Sequence, residues 1–294
     1  MKFPSHRADL DRFLVRPGQH VDLRHYDPGD TGAFKNKEKA TERLDAGLER
    51  LVALQAQLYA HDRWAVLLVF QGMDAAGKDG AIGHVMSGLN PQGTQVVSFK
   101  RPSDEELDHD FLWRAVKALP ERGRIGIFNR SYYEEVLVVH VHPEVLARQK
   151  LPSAVVTRHL WRDRYEDINA FERHLARNGT FVLKVFLHMS KEEQRRRLLE
   201  RLDEPSKNWK FEPGDLNERD RWDDYMGAYE RALSKTSTRH APWYIVPADH
   251  KWFTRLTIAE LVVKGLESLD LRFPKLAKDQ LKALAAARRR LTRV

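Results

Sequence analysis

Ten consecutive residues carry the sharpest chemical signal in the chain: Gln71-Gly72-Met73-Asp74-Ala75-Ala76-Gly77-Lys78-Asp79-Gly80. They follow an apolar run, Trp64 to Phe70, and lead into a segment that reads as a helix from Gly77 or Lys78. The pattern is G-x-x-x-x-G-K between a buried strand and a helix. Gly72 and Gly77 let the backbone wrap closely around a phosphate. The amides of Ala75, Ala76, Gly77, Asp79 and Gly80 supply the positive ends of dipoles, and Lys78 adds a full charge. Three fixed positions arise by chance in about one chain of this length in ten, so the strand-to-helix context carries the reading.

The loop departs from the usual pattern in one respect. The position after Lys78, where a Ser or Thr commonly binds magnesium, is Asp79. Asp74 within the loop can replace that hydroxyl as a hard oxygen ligand; the plainer reading makes it a turn residue bonded to its own backbone. A second constellation follows the strand Ile125 to Phe128: Asn129-Arg130-Ser131-Tyr132-Tyr133-Glu134. Ligands of open parallel sheets sit at the carboxyl ends of strands, where P-loop enzymes place a metal-binding Asp. Asn129 is neutral and can orient a metal-bound water. Glu134 can restore the carboxylate, and Arg130 suits bidentate contact with phosphate oxygens. Arg130 and Glu134 could equally form an ion pair on a loop. A third stretch, Glu204 to Pro213 with Lys207 and Lys210, precedes a segment bearing Arg219 and Arg221. It reads as a lid over about 204–225 that closes on phosphates and excludes water, or as an ordinary surface loop.

These residues need a scaffold. Short apolar runs at Trp64 to Phe70, Gln95 to Phe99, Ile125 to Phe128, Phe181 to Leu187 and Trp243 to Val246 alternate with helix-length segments. That order implies an α/β fold, a five-stranded parallel sheet covered by helices on both faces. Leu44, Leu48, Leu51, Leu54 and Leu58 form one helical stripe over about 37–59. Residues 1–35, with scattered Pro and Gly, read as an arm laid on the core surface. Ser103 with Glu106, and Ser190 with Glu193, have capping-box spacing. A helix over about 154–177 should stop at Asn178-Gly179. The last 24 residues, 271–294, read as a basic helix whose Arg288, Arg289 and Arg290 suit a helix C-terminus, with a polyanion-binding tail as the alternative. The chain is read as one domain: arm and helix to residue 60, core over 61–270, then this helix.

Composition narrows the partners. Fifty basic and 42 acidic side chains give a net charge of +8, and no cysteine occurs, which excludes thiolate and disulfide chemistry. No apolar run reaches the length of a membrane span, and the charged start lacks a secretory signal; a soluble, cytoplasmic protein is expected. His140-Val141-His142, read as an alternating strand, offers two imidazoles on one face without a third ligand, too few for zinc. Aromatic and basic residues are not interleaved as in nucleic-acid motifs. The basic excess reads either as a solvated surface with Arg and Lys slightly ahead or as the mark of an acidic partner, with no nucleic acid or membrane expected.

Longer strings add a resemblance. QGMDAAGKDGAI, GLNPQG, SFKRPSDEELDHDFLWR, RGRIGIFNRSYYEEVLVVHVHPE, FLHMSKEEQRRRLLERLDEPSKNWKF and HAPWYIVPADHKWF, within residues 71–253, resemble the polyphosphate kinase family of the second type. In that family Asp79 is the expected residue after the loop lysine. The resemblance implies a fold similar to thymidylate kinase, a three-layer α/β/α P-loop kinase with a helical lid. It implies polyphosphate as donor, adenine nucleotides (with guanine nucleotides also open) as acceptors, Mg²⁺ with Mn²⁺ as a substitute, and a homo-oligomer. By position, Asp74 matches the magnesium carboxylate, Lys78 the loop lysine, Arg130 the strand-end arginine, and Lys100 a lysine of the polyphosphate channel. Arg219 and Arg221 match basic lid residues near the transferred phosphate. Asn129 with Glu134 is similar to the subgroup that phosphorylates both mono- and diphosphates, whereas His140 stands where the family pattern has Arg. An ATP-dependent kinase of a monophosphate or small hydroxyl substrate shares the loop and lid, and a non-catalytic polyanion-binding module would share the charge.

Overall fold

A computed structural model describes residues 10–292. The charged start, residues 1–9, and the last two residues lie outside the described range. Among the described residues six strands form one sheet: β1 (Leu14–Val15), β2 (Ala65–Gln71), β3 (Thr94–Ser98), β4 (Ile125–Asn129), β5 (Thr180–His188) and β6 (Trp243–Pro247). Their order is β1-β6-β5-β2-β4-β3. β2 through β6 pair in parallel, as their spacing in the chain predicts.

The sixth strand corrects the expected five. β1 pairs antiparallel with β6, Leu14 opposite Tyr244 and Val15 opposite Trp243. The arm is therefore not merely laid on the surface, because Leu10, Phe13, Val15, Val21 and Leu23 are buried in the main core. Two residues are too few to show a period in sequence.

The longer helices are α1 (Lys37–His61), α2 (Lys78–Val85), α3 (Leu160–Arg177), α4 (Lys191–Asp203), α5 (Gly214–Asp220), α6 (Trp222–Thr236), α7 (Lys251–Glu267) and α8 (Lys278–Leu291). Side-chain alternation on β5 shows how they cover the sheet. Phe181 and Leu183 reach Gly265 of α7. The even positions look the other way: Lys184 bonds Glu172 of α3, and the Phe186 ring lies 4.4 Å from that of Tyr229 on α6. α1 packs along α7, and α3 along α6. The result is three layers, with a fully buried central β2.

Three local expectations change. The helix read from about 154 begins at Leu160, after a short turn over Ser153–Val155. His140 and the valines around it form a helical turn, Val138–Val141, in place of an alternating strand. Both capping serines act, yet only at Ser103 does the backbone N–H donate back to the carboxylate, that of Glu106; Glu193 is drawn instead to Arg196 and Arg197. α8 buries none of its residues.

β4, which delivers the second constellation, passes so close to Pro120 that Gly126 leaves no room for a side chain. A Cβ there would lie 2.9 Å from the proline ring. Gly126→Ala should destabilise the fold by about 1–3 kcal/mol in urea unfolding, whereas Val96→Ala, on the exposed edge strand β3, should change it by less than about 0.5 kcal/mol.

Candidate active site

In the parallel pairing of β2 with β4, Phe70 stands opposite Asn129. Both polar sequences therefore leave the sheet side by side at its carboxyl edge. The chain after β2 turns through Gly72, with φ +156°, and Ala75, with φ +64°, to Gly77, with φ +97°, at the N-cap of α2. Gly72 is required by close approach as well: a Cβ would meet the Leu187 carbonyl oxygen at 3.0 Å. The loop is the predicted cradle, with the first amides of α2 lacking intrahelical acceptors.

Four charged groups converge there. Lys78, 8% exposed, donates to the carbonyls of Gly72 at 2.6 Å and Met73 at 3.2 Å. Arg130 donates to Asp74 Oδ1 at 2.6 Å. Glu134 lies within electrostatic reach of Arg130, Lys78 and Asp74, beside the buried Gln71 side chain. Asn129 Nδ2 donates to Asp79 Oδ1 at 2.5 Å, which ties the end of β4 to the first turn of α2. Thus the structure brings Asp74, Lys78, Asp79, Asn129, Arg130 and Glu134 together.

Their protonation follows from burial set against neighbouring charge. Burial pushes the Lys78 ammonium down to about 8, with Arg130 adding to the effect and Asp74 opposing it. Burial would raise the Asp74 carboxyl, but Lys78 and Arg130 outweigh it and hold the group below the usual range. At Glu134 burial wins over the same two cations, and the carboxyl is raised. Arg130, close to two carboxylates, is held firmly charged. Its backbone adopts φ +62°, a left-handed conformation uncommon outside glycine.

The remaining predicted residues lie around this cluster. Lys100 follows β3, and its neighbour Phe99 donates its backbone N–H to Asn129 O at 3.0 Å, so this exposed lysine sits at the same edge of the sheet. In the segment read from sequence as a lid, Arg219 donates to Lys191 O at 2.6 Å and Gln194 Oε1 at 3.0 Å. Arg221 donates to Val141 O at 2.7 Å. Lys207 pairs with Glu200 of α4 and with Glu204 of its own segment, and Lys210 stacks its ammonium over the Trp209 ring. These four bases are held by local partners, apart from the loop cluster.

Other functional side chains escaped the sequence reading. Arg197, 4% exposed, donates Nη1 to the carbonyls of Ala75 and Ala76 at 3.1 and 3.0 Å. Its Nη2 reaches those of Ala248 and Asp249 at 2.6 and 3.2 Å, and its Nε binds Glu193. In a trans peptide the following N–H points opposite to the C=O, so drawing the Ala76 carbonyl outward turns the Gly77 amide away from Arg197. Gln194 donates to the Asp74 carbonyl at 3.0 Å and accepts from Arg219, which links α5 to the loop. Arg201 pairs with Asp215 of α5 at 3.0 Å and acts electrostatically on Asp74. Gln194, Arg197 and Arg201 lie at helical spacing on α4, a polar stripe turned toward the loop; that spacing was the available signal. Tyr229 of α6 is buried within electrostatic reach of Glu134, Arg130 and Asp74.

A strand-anchored phosphate loop with paired carboxylates and cations at the next strand end is the geometry that phosphoryl transfer requires. The profile described as Polyphosphate kinase 2 (PPK2) matches residues 34–274. The chain belongs to the polyphosphate kinase 2 family. It is 52% identical over 281 residues to a Rhodopseudomonas palustris protein named ADP-polyphosphate phosphotransferase, covering 95% of this chain and 97% of that one. It is 45% identical over 267 residues to the Meiothermus ruber AMP/ADP-polyphosphate phosphotransferase, with 90% and 96% covered. The crystal structure of polyphosphate kinase 2 from Arthrobacter aurescens superposes with a TM-score of 0.84 at 42% identity, covering 92% and 95% of the two chains. Family membership bears out the three-layer α/β reading.

The Lys78 shift gives a measurable consequence for this polyphosphate kinase 2 site. Phosphate oxygens favour the charged ammonium, so binding near pH 8 must draw protons from the buffer. Calorimetric titration with inorganic tripolyphosphate in two buffers of different ionisation enthalpy should show net uptake that Lys78→Met reduces. Equal uptake in the two proteins would contradict the assignment.

Proposed function

We propose that this polyphosphate kinase 2 transfers the terminal phosphate of inorganic polyphosphate to AMP and ADP, giving ADP and ATP. The observation that carries this reading is the meeting of Asp74, Lys78, Arg130 and Glu134 at the adjoining ends of β2 and β4, in a chain so similar over its length to phosphotransferases of that name. The Rhodopseudomonas relative is named for ADP alone and the Meiothermus one for both acceptors. The pairing of Asn129 with Glu134 supports activity on both.

In this mechanism a nucleotide phosphate oxygen attacks the terminal phosphorus in line, and the bond to the bridging oxygen breaks. The shortened polyphosphate leaves carrying the charge. Loop amides and Lys78 hold the phosphates, and Arg130 exchanges Asp74 for phosphate oxygens as negative charge develops. The lid arginines Arg219 and Arg221 release backbone carbonyls when they turn toward phosphate. Lys100, Lys207 and Lys210 extend the basic path for the polymer.

The donor set suits magnesium. Asp74 and Glu134 are carboxylates and Asn129 an amide, hard oxygen ligands of the kind that share Mg²⁺ with substrate phosphates and water. Among the described residues no group of three or more His, Cys, Asp or Glu could hold a metal alone, so phosphate oxygens would complete the shell. Mg²⁺, with Mn²⁺ as substitute, would supply positive charge to those oxygens. No described helix is long and apolar enough to cross a membrane; an enzyme of free nucleotides working in the cytoplasm, as a homo-oligomer, completes the reading.

Incubation of AMP or ADP with polyphosphate and Mg²⁺, without ATP, should yield ADP and ATP by chromatography. Product with ATP as the sole donor and none with polyphosphate would favour an ATP-dependent kinase. Asp74→Asn and Lys78→Ala should each lower turnover about a hundredfold or more while the fold is kept. Apparent polyphosphate affinity should weaken markedly with salt, as expected for a polyanion meeting a chain of charge +8.

A further inference from the structure

Beneath the site, Lys184 of β5 and Glu172 of α3 form an ion pair with both side chains fully buried. Glu172 Oε1 accepts from Tyr132 Oη at 2.8 Å and Tyr133 Oη at 2.9 Å. Lys184 Nζ donates to Glu172 Oε2 at 2.6 Å, to Tyr133 Oη at 2.8 Å and to the Thr236 carbonyl at 2.8 Å. All three ammonium protons are thereby used. Thr236 is the last residue of α6, the helix that carries Tyr229 to the charged cluster.

A buried ion pair is a costly way to fill a core, and apolar residues of similar volume often serve stability as well. What this pair holds is more telling. Two consecutive tyrosines converge on one carboxylate oxygen, and they open the turn Tyr132–Val136, which contains Glu134 and begins two residues after Arg130. The next residue, Glu135, is fastened separately by Arg164 at 3.1 Å and Gln149 at 2.8 Å. Tyr132, Tyr133 and Glu135 thus point into the protein while Arg130 and Glu134 face Asp74 and Lys78. The left-handed backbone at Arg130 is strained for a non-glycine residue and persists only where its surroundings over-determine it.

We propose that Lys184 and Glu172 are positioning residues for phosphoryl transfer, acting through the Tyr132 and Tyr133 hydroxyls to fix Arg130 and Glu134 against the phosphate loop. The proposal deepens the functional reading above and rests on it for the assay. It concerns the transfer step and not the choice of donor.

The test replaces the network by apolar side chains, Tyr132→Phe, Tyr133→Phe, Glu172→Leu and Lys184→Met together, so that no hydroxyl or charge is left unpaired. If the pair positions the turn, the folded variant keeps its KM values within about threefold while kcat falls about ten- to a hundredfold, the scale of a small misplacement of reacting groups. A folded variant with kcat within twofold of wild type, or with raised KM at unchanged kcat, overturns the proposal. Should the combined variant fail to fold, Tyr132→Phe and Tyr133→Phe are assayed singly. A fall in kcat of about threefold or more in either, at unchanged KM, supports the proposal, and wild-type kcat in both overturns it. Wild-type protein inactive with polyphosphate but active with ATP would refute the donor assignment alone, and the same comparison is then made with ATP.

Discussion

The pairing of β2 with β4 is the constraint on which the rest of the molecule depends. Phe70 opposite Asn129 puts the phosphate loop and the Arg130 turn at one edge, in one register. A slip of one residue would reverse every side chain of β4 between the two helical layers. It would also bury Arg130 or remove it from Asp74. Gly126, packed against Pro120, and the wholly buried β2 make such a slip costly, so the chemistry inherits its alignment from the core.

Given that alignment, the charges in the cluster are balanced by one another. Lys78 takes the carbonyls of its own loop, and Arg130 takes Asp74. Each of these partners is an oxygen that a phosphate oxygen can replace without leaving a cation bare. Arg197 differs, because its contacts are all backbone carbonyls and Glu193, deep beneath the loop. It belongs to the frame, while Lys78 and Arg130 belong to the exchange of partners with substrate. Arg219 and Arg221 resemble the second group, each resting on a backbone carbonyl oxygen.

Much of the cluster was legible because its residues are contiguous. The loop from Gly72 to Gly80 and the run from Asn129 to Glu134 each follow a strand that alternation with helices reveals. Arg197 and Gln194 were hidden in α4 among surface charges, since one face of a helix shows only as every third or fourth letter. Tyr132 and Tyr133 read as part of the motif, but their shared carboxylate lies on α3, and no local pattern marks it. The turn at His140 shows the opposite failure: a run rich in valine suggests a strand, yet packing against α6 holds it as a helix. The bases Lys207, Lys210, Arg219 and Arg221 read in sequence as a set facing phosphate; in the structure carboxylates hold Lys207, the Trp209 ring holds Lys210, and backbone carbonyls with the Gln194 amide hold the two arginines.

The small strand β1 bears on how the polypeptide comes to rest. Leu14 and Val15 emerge in synthesis more than about two hundred residues ahead of their partners Tyr244 and Trp243. The arm must wait until almost the whole sheet exists, and its apolar residues Leu10, Phe13 and Val21 wait with it. Closing so long a loop is entropically slow. On a translating ribosome, the arm thus docks only after β6 has emerged, and until it does β6 presents an uncovered edge that invites association with neighbouring chains.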